Sequence, residues 1–247
     1  MHLRFLDRWP AVVVEGSQRV LVIADLHFGI ESDLAAHGVH IPSQSRARLE
    51  RVKDCIGAAG ADLLVLLGDV KHQVPGTSRQ EFREIPHILQ ELREMVDLRV
   101  APGNHDGGIG RFLRDGELLP VRGALIDGVG YLHGHTYPAP DLPGHPLVIG
   151  HHHPMVALRD EVGCALRAGA LLLAPAGTGC LRQEDGEGLP ATQVLVMPAF
   201  NELSGIDIQQ LRKKNLGPLS RCMDFSAAEV YLTDGTYLGT AGSLRPE

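Results

Sequence analysis

The chain contains 247 residues and carries a formal charge of −7, from 23 Lys and Arg against 30 Asp and Glu. This acidic balance excludes a basic nucleic-acid coat protein, which needs a large excess of positive charge. With 44% hydrophobic and 21% charged residues, the composition is that of a globular protein and excludes a largely disordered chain.

Charged residues interrupt the most apolar runs, so no window reaches the roughly 18 to 20 apolar residues of a membrane span. The N-terminus also lacks the apolar core of a secretory signal. We therefore expect a cytoplasmic protein without membrane contact. The cysteines lie far apart with no C-x-x-C pair, which favours reduced, structural thiols; they are Cys55, Cys164, Cys180 and Cys222.

The first hundred residues alternate between predicted strands and helices. β-branched or continuous apolar runs indicate the strands, and apolar residues spaced by three or four indicate the helices. Ser78 and Glu81 form a capping box at the start of the second helix, where Pro86 predicts a kink or a later start. The strands are predicted at 12–15, 19–24, 62–67 and 98–101, and the helices at 44–59 and from 78 onwards. This order predicts a βαβαβ arrangement.

After residue 114 the pattern changes to mainly antiparallel strands. Asp127-Gly128 is a hairpin turn between two short strands, 124–126 and 129–132. Further strands are predicted at 146–149, 170–174, 193–197 and 229–240, with an exposed turn at 182–190. We expect one domain over 1–247, with the site motifs in 20–154 and a β-rich part in 165–247.

Five polar clusters each follow a predicted strand. In chain order they are Asp25-Leu26-His27, Gly68-Asp69-Val70-Lys71-His72, Gly103-Asn104-His105-Asp106, His133-Gly134-His135 and Gly150-His151-His152-His153. In an α/β sheet the crevice lies outside the carboxyl ends of the strands, so these clusters are expected to converge.

Carboxylate, imidazole and carboxamide donors suit divalent ions such as Mn²⁺, Fe²⁺, Zn²⁺ or Co²⁺, and no cysteine lies in any cluster. The aspartates and histidines together exceed the needs of one ion, which favours two ions about 3.5–4 Å apart that share a carboxylate. With Asp25 and Asp69 ionised, two such ions leave a surplus of about +2, which attracts an anion. Phosphate esters fit that surplus.

Each cluster alone also has a structural explanation. Asp25 could cap a helix, and Gly68-Asp69 or Gly103–Asp106 could be turns after strands. The five clusters in this order are more specific than any one of them. The other histidines are assigned to the surface or to satisfied interior positions: His2, His37, His40, His87 and His145.

These clusters resemble the motifs of the calcineurin-like metallophosphoesterase superfamily, D-x-H, G-D-x-x-H, G-N-H-D, an isolated histidine and G-H-x-H. The resemblance covers residues 20–154, with no substitution at an expected ligand. Longer strings starting at Ala24, Gly68 and Met197 resemble small archaeal and bacterial phosphoesterases related to SbcD-type nuclease subunits. The resemblance implies an α/β fold, a four-layer α/β/β/α sandwich of two mixed sheets flanked by helices.

The resemblance also implies two divalent metal ions, with Mn²⁺ expected and Fe²⁺, Zn²⁺, Co²⁺ or Ni²⁺ as alternatives. The first ion is expected to take Asp25, His27, Asp69 and His153 as ligands. The second is expected to take Asp69, Asn104, His133 and His151. His152 occupies the variable position of the last motif and is expected to point away.

Other residues are expected to act on the substrate. In the family, the histidine matched by His105 protonates the leaving oxygen or steadies the phosphoryl group, and Asp106 is expected to raise its basicity and fix its orientation. His72 matches a second substrate-facing histidine of SbcD-like nucleases. His135 is expected near the substrate, and Lys71 and Arg79 either contact phosphate or are solvated charges.

The leading expectation is a phosphodiesterase in which a hydroxide activated by two metal ions attacks phosphorus, with a nuclease-like preference for small or single-stranded substrates. The alternatives are a phosphomonoesterase, a nucleotide or cyclic-nucleotide hydrolase and, more distantly, a non-catalytic scaffold. The basic run Arg212-Lys213-Lys214 could touch a nucleic-acid backbone, although solvation explains it more simply. The tail 198–247 has no assigned role, and a homodimer is the default assembly.

Overall fold

A computed structural model describes residues 2–159, 165–184 and 190–244. Its five α-helices are α1 (Ile30–Ala36), α2 (Ser45–Ala59), α3 (Arg79–Arg93), α4 (Thr178–Arg182) and α5 (Ile208–Leu211). Two short 3₁₀ helices lie at Ile109–Phe112 and Leu219–Cys222. None of the described helices is long and apolar enough to cross a membrane.

The first sheet carries the predicted βαβαβ unit. Its strands are β1 (His2–Phe5), β2 (Ala11–Glu15), β3 (Arg19–Ile23), β4 (Leu63–Leu66) and β5 (Asp97–Val100), in that spatial order. The β1–β2 and β2–β3 pairs are antiparallel, and the β3–β4 and β4–β5 pairs are parallel. The parallel half places the carboxyl ends of three strands side by side.

The second sheet is also mixed. Its strands are β6 (Ala124–Ile126), β7 (Val129–Leu132), β8 (Leu147–Ile149), β9 (Pro154–Arg159), β10 (Ala165–Ala176), β11 (Thr192–Val196), β12 (Ile206–Asp207), β13 (Glu229–Leu232) and β14 (Tyr237–Thr240). The order is β12-β9-β10-β11-β8-β7-β6, with β13 beside β10 and β14 beside β13. The β7–β8, β8–β11 and β9–β12 pairs are parallel, and the others are antiparallel.

Strand alternation divides the interior into layers. Along β3, Val20 and Val22 belong to the core between the two sheets, whereas Leu21 and Ile23 pack on the side covered by α2 and α3. This follows from the period of two, which sends successive side chains to opposite faces. The other face of the second sheet is covered by α4, α5 and the 3₁₀ helix at Leu219–Cys222. The predicted four-layer fold is confirmed, with short helices in its outer fourth layer.

Helix α3 begins where the sequence predicts. The Ser78 side chain accepts a hydrogen bond from the Glu81 amide, and the Glu81 carboxylate accepts one from the Ser78 amide. Pro86 lies inside the helix, so the predicted later start is wrong. The turn predicted at 182–190 includes residues 185–189, which lie outside the described part of the chain.

The cysteines correct a second expectation. Cys180 of α4 and Cys222 form a disulfide across 42 positions of the sequence, instead of remaining reduced. The pairing was not predictable from spacing, because the two residues meet only when the segments packed on the second sheet come together. Cys55 is free and buried, as expected of a structural thiol, and Cys164 lies outside the described residues.

Candidate metal centre

The five clusters lie at the ends of β3, β4, β5, β7 and β8, and the loops that carry them are hydrogen-bonded to one another. The Asp25 amide donates to the Gly68 carbonyl at 3.2 Å, and the His27 amide donates to the Asp69 carbonyl at 2.7 Å. Between the sheets, the His151 amide donates to the Asp25 carboxylate at 3.1 Å. The predicted convergence of the clusters is therefore present in the fold.

Much of the backbone at these loops is left-handed. Five of the seven described non-glycine residues with a positive φ lie in the clusters, and all five were predicted to bind metal; they are Asp25, His27, Asp69, His151 and His153. This conformation is rare for residues other than glycine and costs on the order of 1 kcal/mol or more per residue. The donor atoms of these five residues fall in the two groups that could each hold a metal ion.

Glycines leave room for the carboxylates. A Cβ on Gly103 would overlap the carboxylate and the backbone nitrogen of Asp69. A Cβ on Gly150 would lie 2.8 Å from Asp25 Oδ2 and 2.9 Å from the Leu67 carbonyl oxygen. These two glycines of the cluster motifs therefore serve close packing around the carboxylates.

The first group of donors consists of Asp25, His27, Asp69 and His153, each of which can offer one atom to a common ion. His153 Nε2 lies 3.1 Å from Asp25 Oδ1, and His27 Nε2 lies 3.7 Å from Asp69 Oδ2. Both imidazole nitrogens are buried and make no hydrogen bond in the described part of the chain. Buried polar atoms are normally satisfied, so these nitrogens fit a divalent ion as their missing partner.

The second group consists of Asp69, His133 and His151. His133 Nδ1 donates to the Leu67 carbonyl at 2.8 Å, which leaves Nε2 pointing at Asp69 Oδ2, 3.5 Å away. Asn104 Oδ1 lies 3.2 Å from the same Nε2. The Nε2 of His151 donates to the Leu216 carbonyl at 3.0 Å, so Nδ1 is the atom that it can offer to an ion. Asp69 is common to both groups.

The carboxylates and imidazoles of the two groups shift one another's pKa values. Burial raises the pKa values of Asp25 and Asp69, but nearby histidines, His153 and His133 foremost, outweigh it and leave both below their usual values. Burial lowers the pKa of His133, yet Asp69 and Asp25 raise it to about 9. Burial lowers the pKa of His27 to about 3. Near neutral pH both carboxylates are therefore ionised, as a site for cations requires.

A third group of imidazoles borders the first. His72 Nδ1 lies 3.2 Å from His27 Nδ1, and the rings of His72 and His105 stack with their centroids 5.3 Å apart. The His105 amide donates to Asp69 Oδ1 at 2.9 Å, and its ring Nδ1 bonds to the His72 carbonyl oxygen. The two histidines predicted to face the substrate therefore lie beside Asp69 and His27.

Two predicted roles do not match the structure. Asp106 does not bond to the His105 ring; its buried carboxylate accepts the amides of Lys71 at 3.1 Å and Gly103 at 2.8 Å. Burial and the charge of Asp69 raise its pKa to about 6. Lys71 is buried rather than facing phosphate, and its ammonium donates to the carbonyls of Gln73 and Gly76. Both side chains shape the loops around His72 and His105.

The remaining predicted residues lie at the margins. His135 is half-buried, its ring centroid 5.2 Å from that of His133, and burial lowers its pKa to about 4. Arg79 is exposed at the first position of α3. His152 points away from the metal donors, as expected: its Nδ1 donates to the Gly150 carbonyl, and its Nε2 accepts from the Ser220 hydroxyl at 2.7 Å.

Two residues with no predicted role in the site hold its loops: Glu81, predicted only as a helix cap, and Asn201, which lies in a stretch that the sequence indicates either near the site or in a strand-end turn. Glu81 Oε1 accepts the amides of His72 at 2.8 Å and Gln73 at 2.7 Å, in addition to capping α3. The buried Asn201 donates from its amide side chain to the Leu26 carbonyl and from its backbone to the Asp25 carbonyl, both at 3.2 Å. The capping box was the only signal for Glu81, and the string Met197–Asn201 was the only signal for Asn201.

Comparison with known proteins gives one neighbour with a similar fold and one matching family. No curated protein matches the sequence. Nuclease MPE of Pseudomonas putida has a similar fold over 96% of this chain and 98% of its own, with a TM-score of 0.55 and 18% identity. Yfce, a phosphoesterase from E. coli, matches 57% of this chain and 73% of its own, with a TM-score of 0.37 and 22% identity. A family model described as calcineurin-like phosphoesterase matches residues 18–169, which include all five clusters. Because that match covers more than half of the sequence, the chain belongs to the calcineurin-like phosphoesterase family.

Proposed function

We propose that this chain is a phosphodiesterase that depends on two divalent metal ions. Mn²⁺ is the expected metal, and the expected substrates are phosphodiesters of the kind that nucleases cleave. The observation that carries the proposal is the pair of donor groups that share Asp69. Their chemistry, of carboxylates and neutral imidazoles without thiolates, is that of dinuclear sites for Mn²⁺, Fe²⁺, Zn²⁺, Co²⁺ or Ni²⁺. In this proposal Asn104 adds an oxygen donor to the second group.

Two bound ions would supply a water of lowered pKa and positive charge for the phosphate oxygens. The residues of the chain would hold the ions and fix the positions of their ligands. Asp25 and Asp69 are buried and ionised, and backbone amides donate to both carboxylates. Their two negative charges cancel only half of the charge of two divalent ions, which leaves the site attractive to a phosphate ester.

His105 is proposed to protonate the leaving oxygen. Its backbone is held by Asp69 Oδ1, and its ring Nδ1 is engaged by the His72 carbonyl. A carbonyl can only accept, so Nδ1 carries a proton, and in the imidazolium form Nε2 holds the second proton, which it can give to the leaving oxygen. His72, stacked on this ring, is proposed to contact the same phosphoryl group, and Asp106 supports both through the loop that it holds.

The test compares an aryl phosphodiester with its monoester analogue, on Mn²⁺-loaded and chelator-stripped protein. We expect metal-dependent turnover with preference for the diester. Preference for the monoester would replace the proposal by a phosphatase or a nucleotide hydrolase. Equal turnover with and without metal would refute the dinuclear mechanism, and no turnover of either compound would favour the non-catalytic scaffold.

A matched pair of variants tests His105. His105→Ala is expected to retain two ions per chain and to lose about 10²-fold or more in turnover, the usual contribution of a general acid. His87 is exposed on α3, so His87→Ala serves as the control and is expected to match the wild type. Unchanged turnover of His105→Ala would remove this residue from the mechanism.

The cytoplasmic location, the homodimer and the single-domain extent remain predictions.

A further inference from the structure

Two cavities border strand β9 and share part of their lining. The smaller, of about 210 Å³, is lined by His153, Met155, Arg167 and Asn201 among others. The larger, of about 810 Å³, is lined by Met155 and Arg167 and extends to Lys213 and Lys214. Met155 and Arg167 line both cavities, so the two are adjacent; together they are called the β9 groove, which includes the candidate ligand His153 in its lining.

The β9 groove carries a local excess of positive charge on an acidic protein. Its larger cavity is lined by three cationic residues, Arg167, Lys213 and Lys214, all of them exposed, and by one carboxylate, Asp207. That carboxylate caps α5 by accepting the Gln209 amide at 2.7 Å. A cleft with one sign of charge concentrates ions of the other sign, so the expected occupant is an anion.

The backbone of Arg167 lies farther along β9 than the metal centre. Arg167 is paired with Ala157 in the β9–β10 ladder, four positions along β9 from His153. At a rise of about 3.3 Å per residue, this places the Arg167 backbone roughly 13 Å farther along the groove. An anion with phosphates at intervals along its length can contact the metal centre and the Arg167 end of the groove together.

We propose that the β9 groove binds the phosphate backbone of a single-stranded nucleic acid that extends away from the metal centre. The inference rests on the proposed phosphodiesterase function and names its substrate class. Three cations on a protein with a net charge of −7 are too few to bind a duplex tightly, because duplex affinity depends mainly on the number of phosphates that cations neutralise. None of the described residues that line the larger cavity is aromatic, so binding is mainly electrostatic, with little base preference.

The affinity of such a groove depends on salt in a calculable way. Each phosphate contact on a single strand contributes a slope of about −0.7 to the dependence of log K on log salt concentration. Three contacts predict a slope of about −2, or a loss on the order of 20-fold between about 50 and 200 mM salt. Lys213→Gln/Lys214→Gln removes two contacts and should reduce the slope to about −0.7.

The experiment measures fluorescence anisotropy of a labelled phosphorothioate oligo(dT) of about 20 nucleotides, which resists cleavage, with the Mn²⁺-loaded full chain. The variants are Lys213→Gln/Lys214→Gln and the control Arg83→Gln/Arg114→Gln, which removes the same charge at exposed positions near α3. We expect at least about tenfold weaker binding at low salt for the lysine variant and wild-type binding for the control. Turnover of a small aryl phosphodiester should be unchanged in both, which shows that they fold.

Equal weakening of both variants, or of neither, would overturn the groove assignment, and tighter binding of a duplex of equal length would overturn the single-strand assignment. If the wild type cleaves the aryl phosphodiester but does not bind oligo(dT), the groove proposal fails and the proposed function stands. If it binds oligo(dT) through these lysines but cleaves no phosphodiester, the groove stands and the proposed function fails.

Discussion

Gly103→Ala tests the packing around the shared carboxylate. The added methyl group would overlap Asp69 Oδ1 and the Asp69 nitrogen, so either the carboxylate or the 103 loop must move by about 1 Å. Because Asp69 belongs to both donor groups, this one displacement disturbs both ion sites. Misplacement of a positioned group by about 1 Å costs on the order of 10²-fold in rate, and overpacking costs about 1–3 kcal/mol of stability.

The assay measures metal stoichiometry by inductively coupled plasma mass spectrometry, phosphodiester turnover and the thermal midpoint. Gly107→Ala is the matched control, because no atom lies within 4 Å of the methyl group that it adds, and Gly107 has no positive φ. We expect Gly103→Ala to fall below two ions per chain and to lose about 10²-fold in turnover while remaining folded, with the control unchanged. Two tightly bound ions and wild-type turnover in Gly103→Ala would refute the shared position of Asp69.

Three further perturbations address charge and stability. Asp69→Asn keeps an acceptor for the His105 amide but removes the shared negative charge, so both ions should be lost together in a competitive chelator titration; retention of one tight ion would show that the groups are independent. Because the pKa of His133 in the metal-free chain is raised to about 9, metal binding at neutral pH must displace that proton, and metal affinity should rise about tenfold per pH unit from about pH 6 to 8, with proton release visible by calorimetry in two buffers. An affinity independent of pH would contradict this. Cys180→Ser/Cys222→Ser opens a loop of 42 positions and should lower the free energy of unfolding in urea by about 2–4 kcal/mol, whereas a change below about 0.5 kcal/mol would show that the disulfide does not restrain the unfolded chain.

The fold was predictable where the signal lies within one short stretch. The apolar runs of β3 and β4 end in a carboxylate, and the Ser78 capping box marks the start of α3. Strand β1 and helix α1 carry weaker signals: β1 is a half-exposed edge strand, and α1 has seven residues and no side-chain cap. Such elements form because neighbouring structure orders them.

The candidate site was also predictable only in part. Donors at strand ends were predictable, because a sheet brings the ends of neighbouring strands together whatever the loops contain. The partners of those donors were not, because Asp106 and Lys71 had two plausible directions each. Only the packed loops show that Asp106 accepts backbone amides and that Lys71 donates to the carbonyls of its own loop. The prediction of reduced thiols at Cys180 and Cys222 was wrong because only the packed structure brings these two residues together.

All of the proposed metal ligands precede residue 154, yet several groups that hold them come from beyond residue 200. The Leu216 carbonyl orients His151, the Ser220 hydroxyl engages His152, and Asn201 fastens the loop after β3. The Cys222 disulfide anchors the same stretch to α4. A fragment that ended at residue 169 would keep every donor atom but lose the hydrogen bonds from Asn201, Leu216 and Ser220. The part of the chain beyond residue 200 therefore adds structural support to ligand loops that all lie before residue 154.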